Sequence, residues 1–190
     1  EPLTRALTLT RQALKATPKR PLFEATFEHD KVLVRADLLL PARKGYRLVE
    51  VKSTTTVKEP HYEDAAVQAW VTREAGMTLA TVEIAHIDKT FVYPGGNNYE
   101  GLFTHVYVTK EPRALGREIP DWVKGARRTL AGKEPDIEIG DQCHEPYDCP
   151  FFGYCNPDSA DTEGYPPEIL PYGKTVAKEL RAEGYADLRD

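Results

Sequence analysis

Apolar positions change their period several times along this chain, and the changes mark out its elements. Thr4 to Thr17 (TRALTLTRQALKAT) sets Leu7, Ala13 and Leu14 at helical spacing and meets a stop at Pro18. Pro21 to Phe27 (PLFEATF) is strand-like. Lys31 to Leu40 (KVLVRADLLL) and Tyr46 to Ser53 (YRLVEVKS) flank the turn residues Pro41 to Gly45 and predict an antiparallel hairpin. Glu59-Pro60 opens a helix that runs over His61 to Ala75 (HYEDAAVQAWVTREA) and stops at Gly76. Leu79 to Val92 and Leu102 to Thr109 alternate as further strands, separated by the turn-rich Pro94-Gly95-Gly96-Asn97-Asn98. Asp121 to Ala131 reads as a helix, and Glu168 to Asp190 as an extended proline segment leading to a helix stopped by Gly184. The expected fold class is α/β, a mixed central sheet of about four or five strands flanked by helices, with a C-terminal cysteine-rich loop.

Candidate chemistry sits in the hairpin. Side chains repeat every second residue along a strand, so Glu50 and Lys52 share a face, and the loop length seats Asp37 opposite Glu50 on that face. Like charges so opposed destabilise a sheet unless a hard divalent cation, Mg or Mn, sits between them. Lys52 would then orient a water or neutralise charge building on a phosphate. The bland alternative, a solvated Glu-x-Lys pair on an exposed strand, is worth little energetically. On the following helix Asp64 and Gln68 lie four residues apart, with His61 one turn earlier, forming a polar stripe beside Ala65, Ala66, Ala69 and Trp70. That stripe is equally readable as a wet surface.

Asp37, then Glu50-Val51-Lys52, then a helix bearing Gln68 together resemble the PD-(D/E)xK nuclease superfamily, in its RecB-like and CRISPR-associated exonuclease branch. The resemblance extends over about Pro21 to Cys155. It implies a restriction-endonuclease-like fold and a Mg- or Mn-dependent deoxyribonuclease, an exonuclease by the habit of the branch, with DNA as partner. Metal would bind to Asp37, Glu50 and the Val51 carbonyl, Lys52 would be catalytic, and Gln68 would serve the site, with Asp64 acting beside it. An upstream metal ligand common in the superfamily falls on Glu24. The family helix often reads Gln-x-x-x-Tyr, whereas Thr72 stands at the Tyr position here.

The three cysteines, Cys143, Cys149 and Cys155, are packed into Gln142 to Pro157 (QCHEPYDCPFFGYCNP), about six residues apart. Such clustering favours a metal-binding loop over a disulfide framework, which would leave one thiol over. By the same resemblance the loop is similar to those holding a four-iron four-sulfur cluster, which takes four cysteines. The chain opens on Glu1-Pro2 and its one methionine is Met77, so a preceding segment is the expected source of the fourth ligand. Zinc on three thiolates is the alternative. The expected organisation is a nuclease-like domain over residues 1–160, including the loop at 142–157, and an extension over 161–190 leading toward a fused or associated domain.

Net charge changes the picture little. At −5 the chain is not a generic basic DNA coat, yet a cation-binding pocket must itself be acidic. No apolar run approaches the roughly 20 residues of a membrane span, so no membrane partner and a cytoplasmic location are expected. DNA repair, phage defence and recombination are all compatible settings. A reading from a different class also stands, a catalytically silent nucleic-acid-binding module with a structural iron-sulfur or zinc loop.

Overall fold

A computed structural model describes residues 3–145, 147–157, 164–170 and 174–189. The chain divides into two compact units, Glu1–Pro135 and Asp136–Asp190. Cys143, Cys149 and Cys155 fall in the second of these units.

The first unit opens with α1 (Leu3–Leu14), continues through β1 (Leu22–His29), β2 (Val32–Pro41) and β3 (Tyr46–Lys52), crosses over by α2 (Glu59–Glu74) to β4 (Leu79–Ile87), and adds β5 (Phe103–Tyr107), α3 (Lys110–Leu115) and α4 (Ile119–Ala131). The strands form one five-stranded sheet in sequence order, antiparallel throughout except for the β3–β4 pair, which is parallel. A parallel pair needs a crossover, and α2 is that connection. This is the α/β architecture expected from the hydrophobic pattern.

Two elements end earlier than their patterns predict. α1 stops at Leu14, with Lys15 and Ala16 donating to the carbonyls of Gln12 and Ala13 in tighter turn bonds. Pro18 disfavours helical backbone at the residue before it, so the last turn unwinds. β4 stops at Ile87 because Asp88 Oδ1 accepts both the amide and the hydroxyl of Thr90, a side-chain turn that competes with the ladder.

The core lies between α2 and the sheet. Leu39, Leu48, Val82 and Ile84 are fully buried, each contributing about 1.5–3 kcal/mol by burial. Ala65, Ala66 and Ala69 are fully buried on α2, and residues this small let the helix lie close to the strands. Trp70 meets the His29 ring edge-on at 5.2 Å, fixing α2 against β1. The hairpin turn requires Gly45, whose φ is +79 and whose missing Cβ would fall 2.0 Å from the Thr78 carbonyl oxygen.

The second unit is built from short pieces: a 3₁₀ turn at Asp141–Cys143, α5 (Phe152–Cys155), a 3₁₀ turn at Pro167–Ile169 and α6 (Lys174–Ala182). Arg181 grips Glu168 through two bonds of 2.9 Å, and the Tyr165 amide donates to Asp187 at 2.8 Å. The expected C-terminal helix is thus present, and Gly184, with φ +98, follows its end. Among the described residues no helix is long and apolar enough to cross a membrane.

Candidate functional site

β2 and β3 pair with Leu38 opposite Val49 and Leu39 opposite Leu48. Carried one step further, this register sets Asp37 against Glu50, as the turn length predicts. Asp37 does not reach across to the second carboxylate. Its Oδ2 instead accepts the Val51 amide at 2.8 Å, and Asp37 Oδ1 makes no hydrogen bond among the described residues.

Glu50 is 6% exposed. Its two oxygens are held from two elements: Lys52 Nζ donates to Oε1 at 2.7 Å, and Gln68 Nε2 donates to Oε2 at 2.5 Å. Lys52 also donates to Asp64 Oδ2, and Gln68 Nε2 reaches Asp64 Oδ1 at 3.1 Å. The helical spacing of Asp64 and Gln68 places both over the Glu50-x-Lys52 face. Glu50, Lys52, Asp64 and Gln68 thus form one bonded set, with Asp37 tied to it through the backbone between Glu50 and Lys52.

The electrostatics follow from burial against pairing. Burial pushes the Glu50 carboxyl up to about 7, outweighing the bonds from Lys52 and Gln68. Burial would likewise depress the Lys52 amine, but its bonds to Asp64 and Glu50 prevail and raise it. Burial opposes ionisation of Asp64 too, and Lys52 overcomes it, holding that carboxyl low. The set therefore keeps a charged Lys52 and an ionised Asp64 beside a Glu50 whose carboxyl titrates close to neutral pH.

His61 is buried where α2 begins, and its Nδ1 accepts the Lys58 amide at 3.1 Å. That bond fixes the neutral ring with its proton on Nε2. Burial, reinforced by the Lys52 charge, lowers its pKa. The sequence pattern gives His86 no part in the set, yet in the parallel register it is the direct partner of Lys52. The missed signal was topological: a helix of this length between two strands implies a parallel crossover, which brings the C-terminal ends of β3 and β4 side by side.

Glu24 does not join the set. The β1–β2 register leaves it at the position facing Asp37, but Glu24 has φ +55, a left-handed conformation rare for a residue of its kind. Its carboxylate is 61% exposed and lies 3.7 Å from Arg35 Nε. The upstream metal ligand expected there instead lies beside an exposed arginine.

Among the described residues no three of His, Cys, Asp or Glu are grouped so as to hold a metal ion. Cys143, Cys149 and Cys155 are free thiols, buried, half-buried and exposed in that order. The one bond joining their backbones runs from the Cys149 amide to the Cys143 carbonyl, at 2.7 Å. Three thiolates are one ligand short of the four that a four-iron four-sulfur cluster or a closed zinc site takes.

The Asp37 and Glu50 pair is a different case. Mg is bound in many sites by only one or two carboxylates, completed by water and substrate phosphate. Among the described residues Asp37 Oδ1 has no partner, and the buried Gln68 Oε1 has none either. Both are oxygen donors of the kind a hard cation or its water shell takes. Compared with known proteins, the chain matches no family model and no curated protein.

Proposed function

We propose that the first unit is a metal-dependent nuclease that hydrolyses DNA phosphodiester bonds, in the manner of the PD-(D/E)xK enzymes it resembles in sequence. One observation carries the reading: the buried Glu50 carboxylate is held by Lys52 and Gln68 directly beside Asp37, in the strand and helix order that such a site requires.

Asp37 and Glu50 are the residues that would hold Mg or Mn, with the Val51 carbonyl between Glu50 and Lys52 as a further oxygen. A divalent ion bound there supplies Lewis acidity to the phosphate and lowers the pKa of a water. The chain's own groups have separate tasks. Lys52 keeps a positive charge where negative charge builds on the scissile phosphate. Asp64 holds the Lys52 ammonium in place, so it is a positioning residue, and Gln68 fixes the orientation of the Glu50 carboxylate. The Val51 amide fixes Asp37 in turn, leaving its second oxygen for the ion.

The test is degradation of end-labelled single- and double-stranded DNA with Mg or Mn, wild type beside Lys52→Ala and Glu50→Ala. Metal-dependent loss of label, abolished by both substitutions, is the expected result. A second reading, nucleic-acid binding without turnover, is favoured by one observation: both Glu50 oxygens already have protein donors. Wild type and variants equally inert but still binding DNA would establish that reading and overturn the first.

A further inference from the structure

The segment between β4 and β5 is a built platform rather than slack chain. The Tyr93 and Tyr99 rings stack at 5.1 Å between centroids and 22° between planes, while remaining 48% and 57% exposed. The Tyr93 hydroxyl accepts the Asn97 amide at 2.9 Å, so the ring is pinned to the turn beneath it. Gly95, Gly96 and Asn97 all take left-handed backbone there, and the Asn98 amide closes the turn on the Gly95 carbonyl at 3.1 Å. The base of the segment is closed as well, by the Asp88 amide on the Leu102 carbonyl at 2.8 Å.

This platform leaves the sheet at the end that carries Lys52. His86 pairs with Lys52 across β3 and β4, and the next residue, Ile87, donates its amide to Thr54 at 2.9 Å. Tyr93 is five residues beyond Asp88, so it lies at most about 18 Å from that point. Exposed stacked aromatics on a protein that handles nucleic acid have a direct physical use: any base presents a π-face, and stacking is tolerant of sequence. Within a duplex that face is already occupied by neighbouring bases, so only an unpaired strand can use the platform. Lys89, exposed and without a partner among the described residues, supplies charge complementary to the phosphates of such a strand.

We infer that the Tyr93–Tyr99 pair is a stacking site for the bases of single-stranded nucleic acid, setting the substrate class of the site that holds Lys52. This rests on the nuclease reading for the identity of the ligand. The test is fluorescence anisotropy of a labelled single-stranded oligodeoxynucleotide, and of its duplex, in chelator so that hydrolysis plays no part. Wild type is compared with Tyr99→Leu, which keeps apolar bulk, and Tyr99→Phe, which keeps the aromatic face.

The expected result is single-strand binding weakened about tenfold by Leu and retained by Phe, a loss in keeping with stacking energies, with duplex binding unchanged. Equal single-strand binding by Tyr99→Leu and wild type would overturn the platform and leave the nuclease reading intact. Wild type binding neither strand form in chelator would overturn the platform as well, and absence of metal-dependent cleavage beside it would overturn both. Tyr99-dependent binding without any metal-dependent cleavage would overturn hydrolysis alone. A parallel assay with bis(p-nitrophenyl) phosphate separates the roles further: its hydrolysis is expected to be indifferent to Tyr99→Leu and lost in Lys52→Ala.

Discussion

Replacing Arg47 with alanine tests how the parallel strands β3 and β4 are held together. Arg47 on β3 clasps Glu83 on β4, with Nε to Oε1 at 2.8 Å and Nη2 to Oε2 at 2.7 Å. Thr81 adds a bond of 2.6 Å, and His105 Nδ1 lies 3.2 Å away. The Glu83 side chain is fully buried. Burial would raise its carboxyl, but the Arg47 and Thr81 bonds prevail and hold it below the ordinary value. Removing one partner of a buried ion pair costs about 3–5 kcal/mol, because the other charge is stranded. The Arg47 side chain is 36% exposed, so solvent already screens part of its charge, and the lower end, about 3 kcal/mol at pH 7, is expected.

The sign with pH follows. In the wild type a depressed carboxyl contributes stability above about pH 4.5, which is lost as pH falls through the folded value. In Arg47→Ala, burial dominates and lifts the carboxyl above 4.5, so stability instead declines as pH rises through that region. The gap between the two proteins should therefore widen from pH 4 to pH 7. Urea denaturation at the two pH values measures it, and Arg47→Lys, which keeps the charge but not the fork, should fall between them. A gap of the same size at both pH values would refute the argument, as would one below about 1 kcal/mol at pH 7.

Other expectations concern single positions. Gly45→Ala forces a Cβ against the Thr78 carbonyl at a positive φ and should destabilise by more than about 1 kcal/mol, read from thermal unfolding. Thr10→Val removes the hydroxyl that accepts the buried Thr26 amide at 2.9 Å; the orphaned donor should cost about 1–3 kcal/mol in urea. In metal-free protein, the burial-raised Glu50 favours the folded state when protonated, so its contribution declines as pH rises from 4.5 toward about 7. Glu50→Gln should accordingly gain on wild type between pH 5 and pH 8 in chelator, by up to about 3 kcal/mol, and parallel pH profiles of unfolding would contradict this.

Local pattern carried the hairpin, α2 and the facing of Asp37 and Glu50, because each depends on alternation and a short turn. It also placed Asp64 and Gln68 on one helix face. What local pattern does not carry is the partner of a strand that returns after a crossover, so His86 beside Lys52 was invisible until β3 and β4 were seen to run parallel. Glu24 illustrates another gap: the strand pattern assigns it extended backbone, but it takes a positive φ, and nothing in PLFEATF announces it. The cysteines differ in another way: their spacing was legible in the chain, but not that one would be buried, one half-buried and one exposed.

The bonded cluster on the sheet is assembled from near neighbours in the chain. Asp37 to Val51, Lys52 to Asp64 and Glu50 to Gln68 span 14, 12 and 18 residues. Contacts of such short range close small loops at little entropic cost and form early in folding. The hairpin and its crossover helix therefore behave as a self-contained cassette. Lengthening the 88–102 segment, or attaching further chain after residue 135, stretches none of the loops the cassette must close, so the surroundings of the cluster can diversify while its inner geometry stays as it is.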